Sequence, residues 1–186
     1  MKDQPTIETI KKAHSRIRPY IHRTPVLTSS AIDEMAKATL FFKCENFQKT
    51  GSFKARGAHN AVFSLSEEDA GKGVTTHSSG NFAAALALAA RSRGVPAYVV
   101  MPNNSSSIKK SAVEGYGAQI TFCQPTLQAR EKGVEALIEK TGATFLHPYN
   151  DYRTIAGQGT TAIELTEDVS GLDTVIAPVG GGGLIS

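Results

Sequence analysis

The chain has 186 residues, of which 40% are hydrophobic and 7% aromatic, with 20 Lys and Arg against 17 Asp and Glu. These proportions are typical of a folded globular protein and exclude a disordered tail or a coiled coil. The net charge of +3 is not gathered in a basic stripe and the chain has no Trp, so nucleic acid is not expected as a partner.

The cysteines and the apolar stretches indicate a cytosolic protein. Cys44 and Cys123 form no C-x-x-C pair, which argues against zinc and iron–sulfur motifs and fits a reducing compartment. The most apolar stretch, residues 82–90, is far shorter than the ~20 residues needed to cross a bilayer. Residues 1–4 do not lead into the apolar segment of a signal peptide. We therefore expect no membrane partner.

Two helices are predicted first, over residues 6–17 and 30–37, with a break at Arg23-Thr24-Pro25 between them. Short β-branched or aromatic runs then alternate with segments whose apolar residues recur every three or four positions. The predicted strands are 40–44, 74–77, 97–101, 119–123, 144–147 and 174–179, and the predicted helices are 53–64, 83–93, 106–116, 127–141 and 154–168. The alternation predicts an α/β fold with open parallel sheets flanked by helices, because parallel strands need crossovers of roughly a dozen residues.

Polar residues follow the predicted strand 74–77 and begin the next helix. Ser78, Ser79, Gly80 and Asn81 place two hydroxyls, an amide and backbone N–H groups where ligands bind in open α/β sheets. Together with Phe82, these residues are called the serine loop. The loop could hold a carboxylate or an aromatic hydroxyl, or it could be a plain helix cap.

One lysine stands at the start of a predicted helix. Lys54, in the run T-G-S-F-K-A-R-G, lies where a helix N-terminus disfavours a cation, and Arg56 adds a second positive charge. Both effects would ease the loss of a proton, which an amine that forms a Schiff base must undergo. The alternative is an ordinary surface lysine.

A glycine run follows the predicted strand 174–179. The backbone N–H groups of Gly180, Gly181, Gly182 and Gly183, called the glycine loop, could turn toward a phosphate, and a flexible tail is the alternative. The run has neither the Lys-Ser/Thr of a Walker motif nor G-x-G-x-x-G spacing, which argues against nucleotide triphosphate hydrolysis and NAD binding. The sequence stops where such a loop would lead into its helix, so we expect part of the fold to be missing.

Two further patterns suit structural roles. The G-Q-G-T run at residues 157–160 fits either close helix packing or a ligand contact. The five histidines have no Ser or Cys partner in a recognisable motif, which argues against a hydrolase triad. We interpret the histidines as structural.

Three motifs occur together in a specific order: S-F-K-A-R-G-A at 52–58, S-S-G-N at 78–81 and G-G-G-G at 180–183. In this combination the chain resembles the fold type II pyridoxal-phosphate enzymes, the class of the tryptophan synthase β subunit, and within it the serine racemase and serine/threonine dehydratase group. The resemblance extends over almost the whole chain, including H-R-T-P-V-L-T-S-S at 22–30. Cysteine synthase relatives would instead carry S-x-K-D-R and T-S-G-N-T-G, so the resemblance favours hydroxyl elimination over sulfur chemistry.

The resemblance implies two lobes and a role for each motif. Lys54, beside Phe53, would join pyridoxal 5'-phosphate as a Schiff base, the glycine loop would hold the phosphate, and Asn81 would approach the ring hydroxyl. The serine loop would bind the substrate carboxylate, with Ser79 as a second acid/base. Residues 51–147 would form the small lobe, and residues 1–50 and 148–186 an incomplete large, cofactor-binding lobe.

The implied activity is dehydration of L-serine or L-threonine, racemisation of serine, or both, since one carbanion supports both outcomes. A 3-hydroxyaspartate dehydratase and a non-catalytic fragment that binds a partner are the alternatives. Phe82 and Tyr149 stand where the racemases have His and Asn, which leaves the preferred amino acid open.

The resemblance also implies groups that this sequence does not supply. In the family, a polar partner of the pyridine nitrogen and acidic ligands of a divalent cation such as Mg²⁺ lie beyond Ser186. No metal ligands are therefore assigned in this chain, and the isolated chain is expected to bind the cofactor weakly. The complete protein is expected to be a homodimer that acts on a small amino acid.

Overall fold

A four-stranded parallel sheet lies at the centre of the fold. The structure is a computed structural model that describes residues 4–186. The strand order of the sheet is β5-β4-β3-β6, where β3 is Val74–His77, β4 is Ala97–Pro102, β5 is Gln119–Cys123 and β6 is Thr144–Phe145. Val74 pairs with both Ala97 and Thr144, and all three strand pairs are parallel. The predicted α/β fold with a parallel sheet is confirmed. The prediction that residues 1–4 do not lead into a signal peptide concerns a segment of which residues 1–3 lie outside the described residues.

Eight α-helices surround or adjoin the strands within residues 4–186. They are α1 Ile7–Ile17, α2 Ser30–Ala36, α3 Lys54–Phe63, α4 Glu67–Gly71, α5 Asn81–Arg93, α6 Ser107–Gly115, α7 Leu127–Thr141 and α8 Tyr152–Asp168. Only α4 was not predicted, although the Ser66 side chain caps it by accepting from Asp69 N, a spacing typical of helix starts. Helix α8 begins two residues before its predicted start because Asp151 caps it through Arg153 N.

The two faces of the sheet are covered by different helices. Val99 and Met101 of β4 are fully buried in the core that contains the alanine-rich α5. Val100 points the other way, against Gly133 of α7. This alternation follows from the two-residue period of a strand, and it places helices on both faces as a parallel sheet requires.

Two predicted strands differ from the structure. The stretch 40–44 contributes only β2, Phe42–Lys43, which pairs antiparallel with β1, Val26–Leu27, outside the parallel sheet. The stretch 174–179 forms no strand, and Val175 and Ile176 are 58% and 86% exposed. The apolar pattern of 174–179 fits a buried strand, but no described strand lies beside it to supply the ladder of hydrogen bonds.

Helices α3 and α8 approach each other closely at two glycines. A Cβ on Gly157 would lie 2.6 Å from Arg56 O and 2.6 Å from Gly57 Cα, so only hydrogen fits there. Gln158 is buried and accepts from Gly57 N at 3.1 Å. The G-Q-G-T run therefore serves helix packing, which was one of its two interpretations.

The buried side chain of His59 should make the stability of the fold depend on pH. His59 is fully buried on α3, its Nδ1 donates to Ala55 O at 2.7 Å, and its ring stacks on Tyr20 and Phe63. Burial lowers the pKa of His59 from 6.5 to about 4, so the unfolded chain takes up its proton first as the pH falls. The stability that the folded protein gains from keeping His59 neutral is fully present above pH 6.5 and is lost progressively towards pH 4. At pH 5 the free energy of unfolding is lower by about 2 kcal/mol on this account.

Urea unfolding at pH 7.5 and pH 5 would measure this loss. In His59→Gln the neutral side chain does not titrate, so the part of the pH dependence that belongs to His59 should disappear. An equal loss of stability in the variant and the wild-type protein would contradict the assignment.

Candidate active site

Lys54 begins α3 and points its amine at the turn after β6. Lys54 Nζ donates to Pro148 O at 2.9 Å and lies 4.9 Å from the ring centre of Phe53 and 5.9 Å from that of Phe82. The side chain is half-buried, and burial lowers the pKa of its amine. The amine can therefore shed its proton more easily than a surface lysine, as nucleophilic chemistry requires.

The expectation that the charge of Arg56 lowers the pKa of the Lys54 amine is wrong. The Arg56 side chain is fully buried on another side of α3, where its guanidinium pairs with Glu45 at 2.8 Å and Glu164 at 2.7 Å. Its charge is thus neutralised locally. Desolvation, rather than a neighbouring cation, lowers the pKa of Lys54.

The turn that receives Lys54 is built around His147. His147 Nδ1 accepts from the backbone N–H groups of Asn150 at 2.9 Å and Tyr149 at 3.3 Å, and the Tyr149 ring packs edge-on against the imidazole at 4.4 Å. Burial, reinforced by His77 and Lys54, lowers the pKa of His147, which favours the neutral ring that these two hydrogen bonds require. The turn thereby holds Pro148 O toward Lys54.

The glycine loop packs on the same turn. A Cβ on Gly181 would overlap the Tyr149 ring, and one on Gly183 would lie 3.0 Å from Tyr149 Cα. Gly180 and Gly182, in contrast, face open space. Gly182 has a φ of 86°, and Ser186 N donates to Gly182 O at 3.0 Å, which closes a single turn after the loop. Because Tyr149 follows Pro148, whose carbonyl accepts from Lys54, this turn connects the glycine loop to Lys54.

The serine loop connects β3 to α5. Ser78 N donates to Val100 O at 3.1 Å, Gly80 N donates to Ser78 Oγ at 3.3 Å, and α5 starts at Asn81 without a side-chain cap. Phe82 is 2% exposed and lines the side nearest Lys54. The side chains of Ser79 and Asn81 are exposed and make no hydrogen bond to any of residues 4–186. Their polar groups are available to a ligand.

These positions bring Lys54, Phe53, Phe82 and the glycine loop to one region, at the carboxyl edge of the sheet. The residue on which the glycine loop packs, Tyr149, stands out in the sequence only as a departure from the family. Its signal was the H-P-Y-N run directly after a predicted strand. Nothing in the sequence indicated that the run would meet a loop some thirty residues further along.

The described residues fit a phosphate-bearing aldehyde cofactor. A half-buried amine with a lowered pKa is the group that condenses with an aldehyde. The open side of Gly180 and Gly182 is space that a Cβ would fill, where main-chain N–H groups can meet a phosphate. Both features adjoin the turn at residues 147–150, called the Tyr149 turn.

Residues 4–186 offer neither a metal site nor a membrane span of the kinds described next. No group of three or more His, Cys, Asp or Glu side chains is arranged to hold a metal ion. No helix there is long and apolar enough to cross a membrane.

Comparison with known proteins assigns the chain to a family. A model of the family described as "Pyridoxal-phosphate dependent enzyme" matches residues 17–186. The chain belongs to that family. The expected resemblance to fold type II enzymes of the serine racemase and dehydratase group is confirmed by the relatives that follow.

Three relatives within the family are especially similar to this chain. It is 55% identical to a serine racemase of Dictyostelium discoideum over 181 residues, which are 97% of this chain and 56% of the racemase. It is 55% identical to a β-hydroxyaspartate dehydratase of Paracoccus denitrificans over 182 residues, covering 98% of this chain and 58% of the dehydratase. The structure of maize serine racemase superposes with a TM-score of 0.95 at 51% identity, covering 96% of this chain and 54% of that structure. The chain thus spans little more than half the length of these relatives.

Proposed function

We propose that this chain carries part of the active site of a pyridoxal-phosphate dependent dehydratase, racemase or both, acting on small β-hydroxy amino acids such as L-serine and L-threonine. The observation that supports this most directly is the Lys54 amine, half-buried and hydrogen-bonded to Pro148 O beside the Tyr149 turn that carries the glycine loop. A lysine with a lowered pKa beside a side-chain-free loop suits an aldehyde with a phosphate tail.

We assign the residues to roles as follows. The cofactor is held by Lys54, Phe53, Asn81, Gly180, Gly181, Gly182 and Gly183. The substrate is bound by the serine loop, which comprises Ser78, Ser79, Gly80, Asn81 and Phe82. When bound, the cofactor supplies an electron sink for a carbanion at Cα. The freed Lys54 Nζ takes the Cα proton, and its lowered pKa leaves more of it unprotonated for that task. Ser79 Oγ, exposed and without a hydrogen-bond partner in residues 4–186, returns a proton where racemisation occurs.

The second candidate is a 3-hydroxyaspartate dehydratase. It is favoured by the 55% identity to the dehydratase of Paracoccus denitrificans, equal to the identity with the Dictyostelium racemase. The same residues would serve both substrates, since both reactions begin with proton loss at Cα and differ in the side chain that must be accommodated.

We propose a small lobe over residues 51–147 and a large lobe formed by residues 1–50, 148–186 and further chain, in a cytosolic homodimer that also binds a divalent cation. The free thiols of Cys44 and Cys123 fit a reducing compartment.

The test is to supply the protein, loaded with pyridoxal phosphate and Mg²⁺, with L-serine, L-threonine and 3-hydroxyaspartate in parallel. Release of oxo acid with ammonia is expected for at least one of them, and chiral chromatography would detect D-serine. If no oxo acid and no D-isomer form from any of the three, the proposed function fails and the non-catalytic alternative gains support.

A further inference from the structure

A lysine from α6 lies over the serine loop. A Cβ built on Gly80 would be 3.0 Å from Lys109 Cδ and 3.1 Å from both Cε and Nζ. The outer half of the side chain, including its ammonium, therefore occupies the space that a larger residue at position 80 would fill. An ordinary solvated lysine extends away from the surface, whereas this one folds back onto the loop proposed to bind the substrate.

The Lys109 ammonium has no counter-ion among residues 4–186. It makes no ion pair or hydrogen bond there, whereas the basic side chains of Arg153 and Lys110 do. Arg153 pairs with Asp151 at 2.6 Å, and the adjacent Lys110 donates to Asn103 O at 2.7 Å and lies over the Phe122 ring. Lys109 is thus a free cation placed beside the loop.

The serine loop already has donors for one carboxylate. The hydroxyls of Ser78 and Ser79 and the N–H groups at the uncapped N-terminus of α5 can donate hydrogen bonds to the α-carboxylate that every amino acid carries. A further full positive charge is matched only if the substrate brings a second negative charge. Among β-hydroxy amino acids, that charge is a carboxylate on the side chain.

We propose that Lys109 is a specificity-determining residue that pairs with the side-chain carboxylate of a dicarboxylic amino acid. The proposal rests on the proposed function and makes it more specific, because it assigns the site to acidic β-hydroxy amino acids of the hydroxyaspartate type. A neutral substrate would leave the cation unpaired and would gain nothing from it.

Equilibrium binding of two nearly isosteric ligands tests this. L-aspartate and L-asparagine differ chiefly in the charge of the side chain, and neither has a β-hydroxyl to eliminate. Titration of the holoenzyme, followed by the absorbance change of the bound cofactor, gives a Kd for each without relying on turnover. We expect wild-type protein to bind L-aspartate more tightly. Lys109→Ala should weaken L-aspartate binding about tenfold or more, the usual effect of losing a charged hydrogen bond, and change L-asparagine binding less than about twofold.

Matched variants separate charge recognition from folding. Lys110→Ala removes a neighbouring lysine that faces Asn103 and Phe122, so it should leave both Kd values unchanged. Lys109→Arg keeps the charge and should retain most of the preference for L-aspartate. Urea unfolding of Lys109→Ala is expected to match the wild-type protein, because the side chain is exposed.

The remaining outcomes overturn the proposal. Equal weakening of both ligands would mean that Lys109 contacts the α-carboxylate or only supports the loop, and no weakening would mean that it is an ordinary surface lysine. If the wild-type holoenzyme responds to both ligands without preference, the inference fails while the proposed function stands. If it responds to neither ligand, nor to any of the three β-hydroxy amino acids, both fail.

Discussion

Lys54→Ala is expected to abolish covalent attachment of pyridoxal phosphate and to lower turnover of β-hydroxy amino acids by at least about a thousandfold. The reason is that the Lys54 amine is both the group that would bind the aldehyde and the base for the Cα proton. No other amine among residues 4–186 combines its burial, its lowered pKa and its contact with the Tyr149 turn. Lys54→Arg keeps a positive charge but offers no such nucleophile, so it should fail in the same way.

Borohydride reduction followed by peptide mass mapping would measure the attachment. In the wild-type holoenzyme the reduced cofactor should remain on the peptide that contains Lys54, and in Lys54→Ala no peptide should carry it. Lys110→Ala is the matched control and should be labelled like the wild-type protein. A label on a different residue, or no label at all, would overturn the assignment of Lys54.

Replacing Arg56 by leucine is expected to destabilise the fold by about 3–5 kcal/mol, because it leaves two carboxylates without their buried partner. Arg56 is fully buried, and its guanidinium makes two hydrogen bonds to Glu45, each 2.8 Å, and two to Glu164, at 2.8 and 2.7 Å. Burial alone would raise the pKa of Glu164, but Arg56 and Lys43 hold it below its usual range. Removing Arg56 therefore leaves Glu164 as a poorly solvated charge that retains, of its two basic partners, only Lys43 at 3.0 Å.

Urea unfolding would give the loss, and Arg23→Ala provides the comparison. Arg23 also bridges two carboxylates, of Glu167 and Asp168, but its side chain is 50% exposed. Exposed pairs of this kind contribute up to about 1 kcal/mol. The double variant Arg56→Leu/Glu164→Leu should lose less than the sum of the two single variants, since the buried carboxylate that lost its arginine is gone. A loss for Arg56→Leu no larger than for Arg23→Ala would contradict the buried network.

This network also bears on the candidate site. Arg56 joins the first turn of α3 to Glu164 of α8 and to Glu45, which precedes the helix. Lys54 lies in the same turn, and the glycine contact between Gly57 and Gly157 follows directly. The start of α3 is thereby fixed on one side while Lys54 projects from another toward Pro148. We infer that the S-F-K-A-R-G block combines a reactive lysine with the arginine that secures its helix.

The sequence by itself determined the α/β class, because the apolar period of three to four in the helices and the short β-branched or aromatic runs of the strands are local properties of the chain. It predicted α5, α7 and the strands β3, β4 and β5 close to their observed bounds. It also drew attention to Lys54, the serine loop and the glycine loop, since unusual local chemistry is visible in a short motif.

Only the tertiary structure decided which segments meet. The stretch 174–179 has the composition of a buried strand, yet a strand exists only where a neighbour completes its hydrogen bonds. The direction of Arg56 into a buried ion network, the link that Tyr149 makes between the glycine loop and Lys54, and the fold of Lys109 onto Gly80 all join residues far apart in the chain. Such contacts depend on packing and burial, which no local pattern of residues encodes.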